Sequence, residues 1–492
     1  EIVKTLKGRR QHFKKDMLEY YDFLSKEVNI VGSNQRELFM LDKLPDNKLH
    51  LTIHKIDKNN AVSSKIYDRV FDKKETKELA IYGLEDRDSF VVRGGYSGIK
   101  IRIIGGPGDD HFINESTVGK NIRVYDVTFE DNKFSGNENG FIKRISEDPR
   151  NNEYNRLFYK YGYFNPGIQY GYNVDDGVFL GVKGQIVTHG FRKEPFSTQH
   201  VFRAAHALRT SSYYFAYEGD FTRAIGRNDM LIRGDLRAPM NVTNFFGLGN
   251  NTIFDKTKPG RDRYYRARYN IGNLGVLLRR QLQSWMRVNY GLAFQYFDIN
   301  RSDNDDKFLG EGILNGVDQT TLYSPKMYVG PAVILDINSK NNENLPTRGF
   351  LLDAGARSLI GLNEQSNRVT QLHWDMSVFA SFGPKAVAVY ALRLGVGHNI
   401  GAYEIPQAQY LSGTENLRGF RRNRFAGRTM LFNNAEIRLR IAEFNTFLFP
   451  GSLGIQLFHD IGRVWQDNEA NTGRWHNGYG GGIWIAPIKR WV

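Results

Sequence analysis

Met286-Arg287-Val288-Asn289-Tyr290-Gly291-Leu292-Ala293-Phe294-Gln295-Tyr296 is the stretch whose reading decides the fold. Met286, Val288, Tyr290, Leu292, Phe294 and Tyr296 occupy every second position, and the residues between them are polar or small. Alternation at period two is the mark of a strand whose two faces meet different surroundings. The run has the length of a tilted membrane strand, ~9–11 residues, and its charge lies on one face only.

The pattern repeats on both sides. Ile168, Tyr170, Tyr172 and Val174 share a face, as do Val178, Leu180, Val182 and Ile186. Phe350 and Leu352 oppose Asp353 and Arg357; Trp374, Met376 and Val378 oppose Asp375 and Ser377. Tyr390, Leu392 and Leu394 oppose Arg393, and Ile437 and Leu439 oppose Glu436, Arg438 and Arg440. A soluble sandwich also alternates, but this many strands would call for two sandwiches and a linker, and none appears after Asn151. The expected fold is therefore all-β: a transmembrane antiparallel β-barrel over residues 151–492, with ~14 strands between Phe164 and Val492.

Composition agrees. The 492 residues include 50 glycines, 26 tyrosines, 33 phenylalanines and only 14 prolines, and the mean hydropathy is -0.49. Abundant aromatics and glycine with low mean hydropathy suit strands set between lipid and a polar lumen. No run approaches the ~18 apolar residues of a membrane helix, so a span here has to be a closed barrel. The absence of cysteine excludes disulfides, thiolate metal sites and a cysteine nucleophile. A net charge of +14 suits an acidic partner, and basic loops facing lipopolysaccharide phosphates account for it. A nucleic-acid binder would explain the charge but not the lipid-type alternation. The chain starts at Glu1 without an initiator methionine or a signal-peptide pattern, as a processed or truncated chain would.

Residues 1–150 read as a small β-rich domain with an N-terminal amphipathic helix. Phe13, Met17, Tyr20 or Tyr21, and Leu24 recur at helical spacing and predict a helix packed on one face, up to about Val28. Beyond Glu37 the period falls to two, through Leu49, Leu51 and Ile53, then Phe90 and Val92, then Ile99, Ile101 and Ile103. Short strands at even spacing fit a sandwich or a solenoid equally well. Gly105-Gly106-Pro107-Gly108-Asp109-Asp110-His111-Phe112-Ile113 matches the nonapeptide of calcium-binding β-rolls, in which aspartates supply oxygen ligands. Those sites need stacked copies, and only an imperfect echo, Asp88-Ser89-Phe90, precedes this one. The expectation is a Gly/Asp turn without metal, Asp109 and Asp110 being the ligands of the calcium alternative. Gly136 to Asn151, polar and rich in Gly and Asn, is the expected linker.

One loop stands apart. Between Leu411 and Met430 five arginines, Arg418 to Arg428, are interleaved with Phe420 and Phe425. A guanidinium seeks carboxylates, phosphates or aromatic faces, and long loops without periodicity are usually functional or disordered. Leu453, Ile455 and Leu457 share an apolar face, which turns Phe458 and Asp460 to the lumen within reach of Arg418. Glu436 or Glu415 is the substitute partner.

In these residues the chain resembles the BamA/TamA family of outer-membrane barrels, which includes the two-partner-secretion pores. The resemblance covers about Phe164 to Val492. Leu417-Arg418-Gly419-Phe420, preceded by Leu411-Ser412-Gly413, carries the sixth-loop signature. Asn244-Phe245-Phe246-Gly247-Leu248-Gly249-Asn250, Asp336-Ile337-Asn338, Pro346-Thr347-Arg348-Gly349-Phe350, Glu436-Ile437-Arg438 and Phe458-His459-Asp460-Ile461-Gly462 accompany it in order. The resemblance implies a sixteen-stranded barrel, a signature loop folded into the lumen, and a contact from Arg418 to Asp460. The family places the signature between its eleventh and twelfth strands, and beyond the Glu436-Ile437-Arg438 strand only two more are expected, near Ser452–Trp465 and Gly478–Ile488, so that the family's last two strands would be missing. The first 150 residues lack the family's usual periplasmic β-α-α-β-β repeats and look like the segment that joins a calcineurin-like phosphoesterase to such a barrel in Bacteroidetes-type proteins.

The function this resemblance implies is that of an outer-membrane factor of a Gram-negative bacterium that assembles or translocates polypeptides, its N-terminal domain in the periplasm. Its partners would be outer-membrane lipid and lipopolysaccharide, with client polypeptides or assembly subunits; no cofactor is expected. The alternative is a passive barrel that anchors or displays an enzyme domain. Enzymatic activity of the chain itself is not expected. Eleven histidines lie without metal-ligand spacing, and neither a Gly-x-Ser-x-Gly elbow nor a Walker loop occurs.

Overall fold

The structure, a computed structural model, describes residues 2–487 except 96–97, 118–121, 159, 240, 259, 313–319, 384–385, 414, 448 and 471–472. Glu1, Thr414 of the arginine loop and Ile488, the expected end of the last strand, lie outside the described residues. The chain forms two compact units, Glu1–Lys160 and Tyr161–Val492.

In the first unit a helix, Ile2–Ser25, precedes strands that fall alternately into two sheets. One sheet holds Glu27–Val31, Glu78–Tyr82, Lys100–Ile104, Ile122–Val127 and Phe141–Ser146, all parallel. The other pairs Lys133–Gly136, His111–Ser116, Ser89–Gly94 and Glu37–Leu44 in parallel and ends in the antiparallel strands Lys48–Ile56 and Val62–Asp72. Apart from the antiparallel strands Lys48–Ile56 and Val62–Asp72, successive strands change sheet and stay parallel to the coil below, so this is a solenoid, which decides the choice the sequence left open.

Its coils repeat every 22 residues. The Asp88 N–H donates to Asp110 Oδ1 (2.8 Å) and the Asp110 N–H to Asn132 Oδ1 (2.7 Å), each pair 22 positions apart. The Glu37 N–H donates to Asp88 Oδ1 in the same way (2.8 Å). Two residues beyond each of the three Asx side chains a phenylalanine enters the core. Phe39, Phe90, Phe112 and Phe134 stack in a column with centroid spacings of 4.6, 5.3 and 5.1 Å. Around it Leu49, Leu51, Ile81, Ile101, Ile103 and Val124 are fully buried. The echo at Asp88-Ser89-Phe90 is thus a stacked copy, and Asn132-Lys133-Phe134 is another.

Two expectations fail here. The segment from Gly136 to Asn151 is no linker: Phe141–Ser146 inside it pairs with Ile122–Val127 and buries Phe141. A short strand between Gly- and Asn-rich flanks carries too little periodicity to announce itself; the preceding coil supplies its register. The helix forms, but Phe13, Met17, Tyr20, Tyr21 and Leu24 are all exposed, so it is not packed on its apolar face within this unit.

The second unit is a fourteen-stranded antiparallel sheet in which each strand pairs with the next along the chain, from Tyr163–Asn173 to His476–Pro487. The alternation places side chains as the sequence suggests. Leu292 is 58% exposed on the outer face while Asn289 and Gln295, on the same strand, are 5% and 2% exposed inside. Tyr170, Ile168 and Tyr172 also face out. An apolar exterior of this extent would be insoluble in water and is at home in lipid. The first two of the three strands after the arginine loop, Thr429–Asn445 and Pro450–Trp465, pair with Asn434 opposite Asp460 and Glu436 opposite Phe458. The next strand sets Gly478 opposite Asp460. That register builds the site.

Candidate functional site: the arginine loop and its carboxylates

The loop leaves the strand Ala388–Gly401, makes a helical turn at Ile405–Gln407, and closes a short ribbon of Gln409–Leu411 with Phe425–Gly427. A tight turn follows the ribbon: Asn416 and Leu417 N–H groups donate to the Ser412 carbonyl, and the Ser412 N–H donates to Asn416 Oδ1 (2.7 Å). Leu417 then sinks into a cluster with Leu411, Phe425, Phe432 and Val464. Anchored on both sides, Arg418 has little freedom in where it points.

The Arg418 guanidinium grips Asp460 with two parallel bonds, Nε to Oδ2 at 2.8 Å and Nη2 to Oδ1 at 2.7 Å, and its backbone N–H donates to Oδ2 at 2.9 Å. Nη1 donates to Glu436 Oε2 (2.8 Å), and Glu436 Oε1 accepts from Arg438 Nε (2.6 Å). The guanidinium carbon lies 3.6 Å from the centroid of Phe458. A bidentate fork with an aromatic floor is an arginine-specific arrangement that lysine cannot reproduce. Glu415 is not the partner; its carbonyl accepts from Arg393 Nη1 (2.7 Å).

Glycines make room. Gly419 has φ +91°, a conformation that L side chains rarely adopt, so the chain can reverse directly after Arg418. A Cβ on Gly478 would collide with the Arg418 carbonyl oxygen, so this glycine lets the loop lie against the strand.

The other arginines find the acceptors and rings their chemistry demands. Arg424 donates to the hydroxyl and carbonyl of Thr252 (both 2.7 Å) and lies over Phe425 and Phe246. Arg421 covers Phe254, and Arg428 binds Asp467 (2.7 Å) with Tyr403 beneath it. The Asn244–Asn250 stretch meets this loop: Asn244 Nδ2 donates to the Arg422 carbonyl (3.2 Å) and the Gly249 N–H to the Ala426 carbonyl (2.7 Å). A polar cavity of about 250 Å³ remains between Arg393, Arg418, Glu436, Arg438 and Asp460, and a larger one of about 690 Å³ is lined by Glu218, Arg233, Asp235, His373 and Gln407.

Sequence reasoning missed three parts of this assembly. Arg393 holds Asp375 bidentately (2.9 and 2.5 Å) while clasping the loop backbone at Glu415. The signal was present, since both residues lie on the lumen face of adjacent strands, two positions from direct opposition. His476 stacks on Phe425 at 3.7 Å and bonds Asn250 Oδ1 (3.0 Å), and Gly478 gives the close approach. No spacing in the sequence reveals either. Among the described residues no group of three or more His, Asp or Glu side chains is placed to hold a metal. No helix among them is long and apolar enough to cross a membrane.

An antiparallel sheet with an apolar outer face, a charged inner face and an inward loop defines an outer-membrane barrel. The sequence matches the Omp85 superfamily domain over residues 115–489, and the chain belongs to that superfamily of outer-membrane barrels, a family of protein assembly and translocation pores. Among solved structures it is similar to BamA from Haemophilus ducreyi lacking POTRA domains 1-3, with 12% identity, coverage of 71% of this chain and 69% of that one, and a TM-score of 0.47. CdiB from Escherichia coli gives 11%, 72%, 62% and 0.42, and CdiB from Acinetobacter baumannii 14%, 65%, 53% and 0.38. The chain spans less than two thirds of either CdiB. No curated protein matches the sequence.

Proposed function

We propose that this protein assembles or translocates polypeptides at the outer membrane of a Gram-negative bacterium, with the Arg418 loop as the brace of its lumen. The observation that carries this reading is the grip of Arg418 on Glu436 of the strand the loop runs into and on Asp460 of the strand after it. A brace of this kind holds the wall in register while the polar cavities beside it stay hydrated. No covalent chemistry is involved, and the chain acts without a cofactor and without nucleic acid. The solenoid lies on the periplasmic side in this reading, where it meets client polypeptides or assembly subunits. The basic surface faces lipopolysaccharide phosphates.

The competing role is an anchor for an enzyme domain such as a phosphoesterase, and a lumen filled by the loop and the Asn244–Asn250 segment suits a closed anchor as well. Depletion of the protein separates the two. Accumulation of unassembled or untranslocated client polypeptides, rescued by the wild-type chain but not by Arg418→Ala, is the expected result. Normal client levels on depletion, with no conductance change in planar bilayers on Arg418→Ala, would leave the anchor as the better reading.

A further inference from the structure

The helix Ile2–Ser25 buries none of its apolar side chains: every described residue from Ile2 to Leu24 is exposed. A helix of 24 residues that packs on nothing is marginal in water, and Gly8 in its interior weakens it further. Its apolar side calls for a partner.

That side is continuous. Ile2, Phe13, Met17, Tyr20 and Leu24 recur at spacings of eleven, four, three and four, which sets them in one line along the helix, and Val3 and Tyr21 lie beside them. Leu18 and Phe23 fall off it. The charges are sorted around this line. Lys4, Lys7, Arg9, Arg10, Lys14 and Lys15 put six positive charges into the first half of the helix, with no acid between them. By helical spacing Arg9 borders the apolar surface on one side, Lys7 and Lys14 border it on the other, and Arg10 lies within it. Asp16, Glu19 and Asp22, three apart, recede toward the opposite side. Among the described residues the ion pair this helix makes is Lys15 with Glu19 (3.8 Å), both well exposed, so the other five cations have no carboxylate. At the far end the Tyr21 hydroxyl donates to Glu75 Oε2 (2.9 Å) and fastens the last turns to the solenoid.

We propose that this helix lies in the surface of an anionic phospholipid leaflet, with its apolar line among the acyl chains and its cations on the headgroup phosphates. Charge complementarity selects this occupant. A protein groove that took the apolar line would need carboxylates along both of its rims, for Arg9 on one and Lys7 and Lys14 on the other, and a further one in its floor for Arg10. An acidic leaflet offers apolar depth and negative charge at one boundary along the whole helix. Long basic side chains lay their stems along apolar surface and lift the charged head, which accommodates Arg10, while Asp16, Glu19 and Asp22 stay on the water side. Tyr20 and Tyr21 suit the same boundary, since a tyrosine is apolar in its ring and wet at its hydroxyl. The inference rests on the outer-membrane reading for the presence of a bilayer, and it holds whether the barrel assembles polypeptides or anchors an enzyme.

The chain has no cysteine, so an environment-sensitive dye can be placed on single-cysteine variants of the full chain. Met17→Cys and Glu19→Cys are labelled, held in phosphatidylcholine nanodiscs with or without phosphatidylglycerol, and each sample is mixed with vesicles of the same lipid. With phosphatidylglycerol, the dye at position 17 should shift to the blue and brighten while the dye at position 19 stays in water. With phosphatidylcholine alone neither should respond. Replacing Arg9, Arg10 and Lys14 together with glutamine should abolish most of the shift, and so should added salt, because the attraction is electrostatic. All three side chains are exposed, so the melting temperature of the solenoid should be unchanged in that variant. A dye at position 17 that stays in water in the presence of phosphatidylglycerol, an equal response to phosphatidylcholine alone, or an undiminished shift in the glutamine variant would overturn the proposal. None of these outcomes touches the Arg418 brace, which the depletion experiment tests separately.

Discussion

Asp460 in the barrel and Asp126 in the solenoid are equally sealed from water, each at 0% exposure, and they are neutralised in opposite ways. Asp460 is held by a guanidinium that the chain itself delivers from a loop 42 residues away. Among the described residues Asp126 has no ion pair with a lysine or arginine, and it faces Asp110, Glu130 and the Asn152 amide. The solenoid also pairs Glu78 with Arg102 and Lys100, but other acids follow the same contrast. Asp375 with Arg393, and Asp220 and Asp229 with Arg279, are paired in the barrel; Asp88 and Asp110 in the solenoid rely on backbone N–H groups. A carboxylate that the chain pairs with arginine fixes geometry once and for all. A carboxylate left to backbone donors answers to protons from outside.

Breaking the lumen pair should have the largest effect. Arg418→Ala leaves Asp460 as a buried, unpaired charge, for which losses of about 3–5 kcal/mol are typical. The expected outcome is a loop open to protease while most strands remain formed. Asp460→Ala should act alike but more weakly, because Arg418 is partly exposed and keeps Glu436, and the double variant should be no worse than Arg418→Ala. Strictly additive effects would mean that the loop is held elsewhere.

Gly419→Ala is a subtler attack on the same brace, since it forces a side chain into φ +91° at a cost of about 1–3 kcal/mol. Nothing lies within 4 Å of the added methyl, so any loss reads backbone strain alone. Loop proteolysis intermediate between wild type and Arg418→Ala is expected.

The solenoid should instead respond to pH. Burial raises Asp110 and Asp126 to about 9 and Asp88 to about 8, and neighbouring acids push the same way, against the backbone N–H that each carboxylate accepts and a weaker pull of Arg36 on Asp88. The folded unit therefore keeps protons that the unfolded chain releases above about pH 4, and stability falls as pH rises from there toward 9, by at most about 1.4 kcal/mol per pH unit for each proton held. Hydrogen exchange of the solenoid amides measures it, and Asp126→Asn should flatten the slope. The barrel lock should show no such decline over that range.

The smallest effect belongs to a pair that looks similar on paper. Arg93 and Glu115 meet at 2.8 Å on the solenoid surface, both about half exposed. Replacing either with alanine should cost under about 1 kcal/mol in urea unfolding. A larger loss would show that pairing, rather than burial, sets the difference between the two regions.

Much of the barrel was legible because period-two alternation is a local property: the identity of residue 290 and of residue 292 says which face each takes. The fourteen strands and their outward residues follow from that, as does the lumen direction of Arg393, Glu436, Phe458 and Asp460. The solenoid was legible only in part. The copies Asp88-Ser89-Phe90 and Asn132-Lys133-Phe134 share too few residues with Gly105–Ile113 to declare a repeat. Their equivalence appears when 22-residue coils bring one side chain under the backbone of the next.

By itself, then, the sequence determined the two-faced strands, the dense arginines that must find acceptors, and the glycines where the backbone turns. Tertiary structure alone decided which acceptors those were, and which groups meet far from one another in the chain: the register of Asn434, Asp460 and Gly478 across three strands, His476 on Phe425, and the packing of Asp110 and Asp126 against Gly105. Alternation and turn chemistry act between near neighbours in the chain. Charge pairing and close approach act between residues whose separation is set only after every intervening strand has found its partner.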